Sequence, residues 1–259
     1  MNIFQKIYNY RELLKTNVKK EIRGRYKNSI LGVMWSFLNP LLQLAVYSII
    51  FGALLAGGDP TYHIYICVAL IPWTYFTTAI TQAAFTVIGN ADIIKKVYFP
   101  REILPLSAAI SGLINFFIAC IIILVFCAFG NVGFSIHLLW VPVFAVAECL
   151  IALGLGMALG AMNAYVQDLE YIVNFILMLA FYASPIIYQM SMFQSESFIY
   201  NAIMMNPMTK IIMGYRNAFL YHQSPQLVDV GMLFLISLLI LCIGYLIFKK
   251  LEKGFAEQF

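Results

Sequence analysis

One carboxylate stands deep inside an apolar run. Glu148 lies ten residues beyond Leu138, where that run begins, which in a helix is about 15 Å from its end. An ionisable group at such depth is a functional candidate by default: it faces a polar path or a partner, or it is a neutral acid bonded to a neighbouring helix. The pair Asp168-x-Glu170 offers the one sequence-local chance of a divalent cation held for sugar-nucleotide chemistry, against the simpler reading of a solvated charged loop. His63, His137 and His222 sit at the edges of apolar runs without metal-ligand spacing. All five cysteines, Cys67, Cys120, Cys127, Cys149 and Cys242, fall inside apolar segments with no C-x-x-C spacing, as small buried hydrophobes do. The expectation is no catalytic residue, no metal site and no cofactor bound by this chain.

Two cations, Lys210 and Arg216, lie six residues apart in a late apolar piece. They could meet an anionic headgroup or a phosphate-bearing cargo, or simply snorkel to lipid phosphates. The aromatics Tyr47, Phe51, Trp73, Tyr75, Phe76, Phe181 and Tyr182 could line a path on which sugar rings stack, or serve as packing and belt residues. No GxxxxGK[ST] loop occurs, so any work driven by ATP and Mg²⁺ requires a separate ATPase subunit.

Composition says what kind of element must hold these residues. With 62 % hydrophobic and 11 % charged residues, the chain reads as an integral membrane protein. Its basic residues sit beside apolar runs, where anionic headgroups account for them better than nucleic acid. Met1 to Lys27 lacks the apolar core and small-residue cleavage site of a signal peptide, so targeting is expected to rest on the spans.

Periodicity then predicts an all-α membrane protein of six transmembrane helices, with an N-terminal amphipathic interfacial helix and two short re-entrant helices between the fifth and sixth spans. Residues 1–259 form one transmembrane domain: a cytoplasmic amphipathic segment (1–30), spans one to five (31–190), an external re-entrant region (191–229), span six (230–248) and a cytoplasmic tail (249–259). In the first segment Ile3, Ile7, Tyr10, Leu14, Val18 and Ile22 recur every three or four residues, the pattern of a helix lying in the headgroup plane. The spans are placed at Leu31 to Leu55, His63 to Val87, Ile103 to Phe129, Leu138 to Asn163, Tyr171 to Met190 and Val230 to Phe248. Pro72 predicts a bend or break in the second, and Gly156-x-x-x-Gly160 predicts close helix contact in the fourth.

Between the second and third spans, GNADIIKKVYFPRE (Gly89 to Glu102) is too polar for lipid. Asn90 is expected to cap a short helix, with Ile93, Ile94 and Val97 facing the protein and Asp92, Lys95, Lys96 and Arg101 facing solvent. The apolar pieces Phe198 to Met205 and Met208 to Tyr221, divided by Asn206-Pro207, are each shorter than the ~20 residues of a spanning helix and read as a pair that dips and returns. Fourteen of the sixteen Lys and Arg residues fall before Ile30, in the Gly89 loop or in the tail, which by the positive-inside rule places both termini in the cytoplasm.

The run KKEIRGRYKNSILGVMWSFLNP (Lys19 to Pro40) carries Arg25-Tyr26-Lys27, Ser29, Leu31-Gly32, Trp35 and Pro40. It resembles the opening of the type-2 ABC exporter permeases that move cell-surface polysaccharides, including O-antigen, capsule and teichoic acid permeases. Pro72-Trp73, Phe99-Pro100-Arg101 with Leu104-Pro105, Asp168, Ser184-Pro185-Ile186 with Tyr188, Asn206-Pro207 with Arg216, and Gly254-Phe255-Ala256 follow in order. The resemblance implies a homodimer bound to two ATPase subunits in a bacterial cell membrane, exporting a lipid-linked glycan. It implies ATPase coupling through Asp92, Ile94, Lys95, Lys96, Tyr98, Arg101 and Asp168, and an external gate at Asn206, Pro207, Lys210 and Arg216. A cytoplasmic entrance at Arg23, Arg25, Tyr26, Lys27 and Trp35 would lead to a path along the aromatics named above and Glu148. One departure stands out: Gln167 precedes Asp168 where the family commonly has Arg, and Gln brings no charge to the local salt bridge or ATPase contact that the resemblance implies there. Competing functions are a drug or lipid exporter of the same superfamily, a membrane-embedded glycosyltransferase relying on Asp168-x-Glu170, and a passive channel, which the lack of polar rings along the spans disfavours.

Overall fold

Twelve α-helices follow one another in the computed structural model, which describes residues 3–26, 30–55, 59–97, 99–166, 168–195 and 197–258. They are α1 (Ile3–Asn9), α2 (Arg11–Tyr26), α3 (Trp35–Leu55), α4 (Tyr62–Gly89), α5 (Ala91–Lys96), α6 (Ile103–Phe129), α7 (Trp140–Asn163), α8 (Leu169–Tyr182), α9 (Phe198–Met205), α10 (Pro207–Arg216), α11 (Leu227–Leu251) and α12 (Phe255–Gln258). No strand occurs among the described residues. Among the described residues five helices, α3, α4, α6, α7 and α11, are long and apolar enough to cross a bilayer.

The expected fifth span, Tyr171 to Met190, takes a different form. Helix α8 has 14 residues, about 21 Å at helical rise and short of the ~30 Å hydrocarbon core. The chain then leaves the helix in a loop in which Ser184, Pro185, Ile186 and Ile187 are all buried. Pro185 withholds an N–H, and Ser184 turns its hydroxyl back on the Ala180 carbonyl at 2.8 Å, so the helix ends there. Pro72, by contrast, sits inside an uninterrupted α4. That helix is walled on nearly all sides, 78 % of its apolar stretch being buried against 17 % for α3 or α11, and packing offsets the one hydrogen bond the proline removes.

Helix α4 is thus the axis of the bundle, with α6 and α7 against it and α3 and α8 on its remaining flank; α11 lies behind α7. Lipid is as apolar as the helices, so close backbone approach and polar bonds, more than burial, hold such a bundle together. Gly156 and Gly160 of α7 meet α4: a Cβ on Gly160 would stand 2.8 Å from the Ala83 carbonyl, and one on Gly156 would collide with the Ala83 methyl. On the opposite face Gly154 and Gly244 bring α7 and α11 into backbone contact, leaving no space for a side chain on either glycine. Asn163 adds a bond across α7 and α4, its Nδ2 donating to the Ala84 carbonyl at 3.3 Å.

The core has two parts. The larger joins α4, α6, α7, α10 and the Ser184 loop. The smaller gathers Ile94, Phe99, Leu104, Leu153, Met157, Phe248 and Phe255 at one end of the bundle, with Tyr10 and Leu13 packed on it. That end holds α2, α5, the start of α6, the end of α11 and α12, and with them nearly all the cationic residues, so it is called the basic end below.

Candidate functional site

Chain reversal at the far end depends on a cap. Asn206 accepts a hydrogen bond from the Met208 amide at 3.0 Å while Pro207 occupies the first helical position of α10. The Asn206 Nδ2 donates to the Ser184 hydroxyl at 2.9 Å, tying the α9–α10 corner to the loop after α8. Helix α10 stops at Arg216, earlier than the sequence pattern implies, and passes into a π-helical turn, Asn217–Tyr221, closed by His222 at φ 53.

The two cations of α10 part company. Lys210 pairs with Asp229 at the start of α11 at 3.4 Å. Arg216, 3 % exposed, turns inward: its guanidinium lies 3.4 Å from the Tyr65 ring centroid and donates to the Ile186 carbonyl at 2.9 Å and the Tyr65 carbonyl at 3.5 Å. Arg216 therefore does not snorkel, because protein carbonyl oxygens of Tyr65 and the Ser184 loop satisfy its guanidinium inside the bundle. The same loop is held to α4 by Tyr62 and Tyr65, whose hydroxyls donate to the carbonyls of Ile187 and Tyr188 at 2.7 and 3.0 Å.

Glu148 also faces protein. It is fully buried and accepts a hydrogen bond from the Tyr215 hydroxyl at 2.8 Å, linking α7 to α10; its other oxygen has no partner among the described residues. The ring of Tyr215 packs on Phe116 and Phe144, and Gly214 sits so close to Phe144 that a Cβ would overlap that ring.

Six of the seven predicted path aromatics form one shelf along α3, α4 and α8. Tyr47 stacks on Phe181 at 5.6 Å and tilts toward Phe51 at 6.2 Å; Trp73 meets Phe181 at 5.9 Å and Phe76 at 5.7 Å; Phe181 meets Tyr182 edge-on at 5.2 Å. Thr77 and Asn174 join Tyr47, Trp73, Phe181 and Tyr182 around a depression of about 290 Å³. Tyr75 points elsewhere, its ring tilted against Phe116 at 5.4 Å. Successive helix positions are turned by about 100°, which takes Tyr75 off the shelf, and Glu148, on α7, meets Tyr215 instead.

At the basic end α5 presents a face different from the one periodicity implied. Ile94 is buried in the smaller core, whereas Ile93 and Val97 are 45 % and 57 % exposed. Asp92, Lys95 and Lys96 are exposed. Asn90 does not cap the helix with its side chain; its Nδ2 donates back to the Thr86 carbonyl at 2.7 Å and its Oδ1 accepts from Lys20 at 3.3 Å. Arg101 also departs from its expected solvent-facing role: it donates to the Glu252 carbonyl and lies over the Phe255 ring at 5.5 Å, so it binds the tail to the start of α6. Beside it Glu102, 2 % exposed, forms an ion pair with Lys249, which also reaches Glu252 at 2.6 Å. Glu102 escaped the sequence reading; the signal for it was an acid opening an apolar span in a chain whose tail is basic.

Asp168 is exposed just before α8, and no group of three His, Cys, Asp or Glu among the described residues could hold a metal. Tyr98, Gln167 and Lys27 lie outside the described residues, as do the side chains of Arg25 and Tyr26. Arg23 is exposed on α2 at the edge of an apolar groove formed with Ile110. On this helix Lys15, bonded to Glu12 at 3.0 Å, holds the Glu12 carboxyl below its ordinary pKa. Trp35 borders a polar cavity of about 270 Å³ between α3, α4 and α6. Ser36, Asn39, Thr74, Thr78, Gln82 and Asn115 line it, and none of these six stood out in the sequence, because uncharged polar residues scattered over three apolar stretches form no spacing of their own.

Comparison with known proteins places this geometry. Residues 12–220 match the family model described as ABC-2 type transporter. The chain is 31 % identical over 259 residues to the O-antigen export system permease protein RfbA of Myxococcus xanthus, covering all of this chain and 99 % of that protein. It is 32 % identical over 247 residues to the protein of the same name from Klebsiella pneumoniae, covering 95 % of this chain and 94 % of the relative.

Proposed function

Because the chain belongs to the ABC-2 type transporter family, we propose that it is the membrane-spanning permease subunit of an ATP-driven exporter of cell-surface polysaccharide. Its cargo is a lipid-linked glycan of the O-antigen, capsule or teichoic acid type, carried out of the cytoplasm. The observation that carries this reading is 31–32 % identity, over 95 % or more of the chain, with O-antigen export permeases from two organisms.

Charge and parity support six crossings of a bacterial cell membrane. With the basic end in the cytoplasm, α3, α4, α6 and α7 alternate in direction, and α7 returns the chain inward. Helix α11 must end at the basic Lys249, Lys250 and Lys253, so the chain has to cross outward once between them. Helix α8 with the buried Ser184 loop supplies that crossing, and the neighbouring helices shield the loop's backbone as lipid could not. In this topology α9 and α10 form a re-entrant pair at the external face. Asn206, Pro207, Lys210 and Arg216 fix its shape, which suits a gate held shut by the Ser184 loop.

ATP and Mg²⁺ act on a separate subunit, docked at the basic end. Ile93 and Val97, apolar and exposed among Asp92, Lys95 and Lys96, are the surface such a subunit would grip. Ile94 then transmits its displacement into the core shared by α6, α11 and α12. The aromatic shelf between α3 and α8 is open on one side, and a second copy of the chain facing it would complete a path on whose walls sugar rings stack. Loss of surface glycan on deleting the chain, restored by its re-expression, is expected, together with an ATPase retained through mild-detergent purification. Unchanged surface glycan in the deletion strain would overturn the reading.

A further inference from the structure

The polar cavity between α3, α4 and α6 is separate from the aromatic shelf. Thr74 and Thr78 of α4 lie on it whereas Thr77, on the other flank of the same helix, borders the shelf. Its position follows from helical rise. Asn115 is twelve residues into α6, about 18 Å from the basic end, and Gln82 is seven residues before the end of α4, about 10 Å from it. A half-open cavity bearing six polar side chains thus runs between the spans from the basic side to about the middle of the bundle.

We propose that this cavity is a binding site for one uncharged sugar ring of the glycan. The inference rests on the exporter reading above and gives that reading a first holding site. Three properties of the lining select the ligand. None of the described lining residues carries a charge, so nothing there neutralises a phosphate. Hydroxyls and carboxamides supply both donors and acceptors, the complement of a polyol. Trp35 and Phe116, on different helices, also line the cavity and add apolar surface beside which a pyranose can sit. At about 270 Å³ the volume sits near the lower bound of ~300 Å³ for small-molecule sites, room for a ring and not for a chain. The Ser36 hydroxyl donates to Asn115 Oδ1 at 2.8 Å and the Thr74 hydroxyl to the Leu70 carbonyl at 2.8 Å, so the wall is oriented before a ligand arrives.

The test uses full-length protein purified with its ATPase and placed in lipid nanodiscs. ATP hydrolysis is followed while the host's extracted lipid-linked glycan is added, or the same lipid carrier stripped of its sugars. Asn115→Leu and Thr78→Val are each expected to raise the half-maximal glycan concentration about tenfold, the effect of one lost hydrogen bond to a buried ligand. The response to the bare carrier should match the unsubstituted protein. Should Asn115→Leu fail to assemble, Thr78→Val decides alone. An unchanged glycan response, or an equal change with bare carrier, overturns the sugar site and leaves the exporter standing; if the unsubstituted protein itself ignores the glycan, the exporter reading falls first.

Discussion

Tyr215 and Arg216 are adjacent in sequence and both buried, yet they address different partners. Tyr215 bonds Glu148 of α7, while Arg216 bonds the Ser184 loop and the Tyr65 ring. Together they anchor α10 to both of its neighbours. A carboxyl group at zero exposure with a hydroxyl donor 2.8 Å away acts as an acceptor, and an amide oxygen fills that role without ionising. Glu148→Gln is therefore expected to retain export with an unchanged pH profile, measured as surface glycan across the growth range; pH-dependent loss would instead identify a working charge. Tyr215→Phe strands the Glu148 oxygen and should cost about 1–3 kcal/mol, read as a lowered unfolding temperature in detergent.

Among the elements, α5 is the shortest with a functional claim, and its six residues gain definition from their attachments. Ile94 enters the smaller core, Asn90 joins Thr86 to Lys20, and Arg101 follows bonded to the tail. A substitution at Ile94 therefore confounds two effects. Ile94→Ala opens a cavity and should destabilise the basic end by about 2–5 kcal/mol. Ile93→Asp and Val97→Asp change exposed surface alone: protein levels and melting should stay near those of the parent, while export falls and ATP hydrolysis continues. Normal export from both variants would remove α5 from the coupling route.

At the scale of the molecule, the two ends of the bundle are locked by different means. The far end relies on neutral acceptors and one buried cation around the Ser184 loop. The basic end relies on the Glu102–Lys249 ion pair, which fastens the end of α11 to the start of α6, and on aromatic packing of Phe248 and Phe255 at 5.8 Å, which folds α12 back on α11. Lys249→Gln leaves the Glu102 carboxylate buried and uncompensated. Its expected cost is about 2–3 kcal/mol, below the fully buried range because Lys249 is partly exposed; thermal unfolding of the purified permease checks it.

Most of the helix inventory was legible in the sequence, since apolar length, caps and small residues are local features. Asn206-Pro207 announced the start of α10, Gly156-x-x-x-Gly160 a close helix contact, and the ordered motifs the family. The partners were not legible: Tyr215 finds Glu148 across 67 positions and Arg216 finds Tyr65 across 151. Nor could periodicity choose between Ile93 and Ile94, split the aromatics into a shelf and a core, or gather six scattered polar residues around one cavity. The physical reason lies in the solvent. In water, burial sorts the two faces of a helix, but lipid and protein interior are equally apolar, so an apolar pattern determines that a helix spans without determining what each face meets. Only tertiary packing decided that, through glycine contacts that set how close α7 comes to α4 and α11, and through buried polar groups that accept no partner except one another.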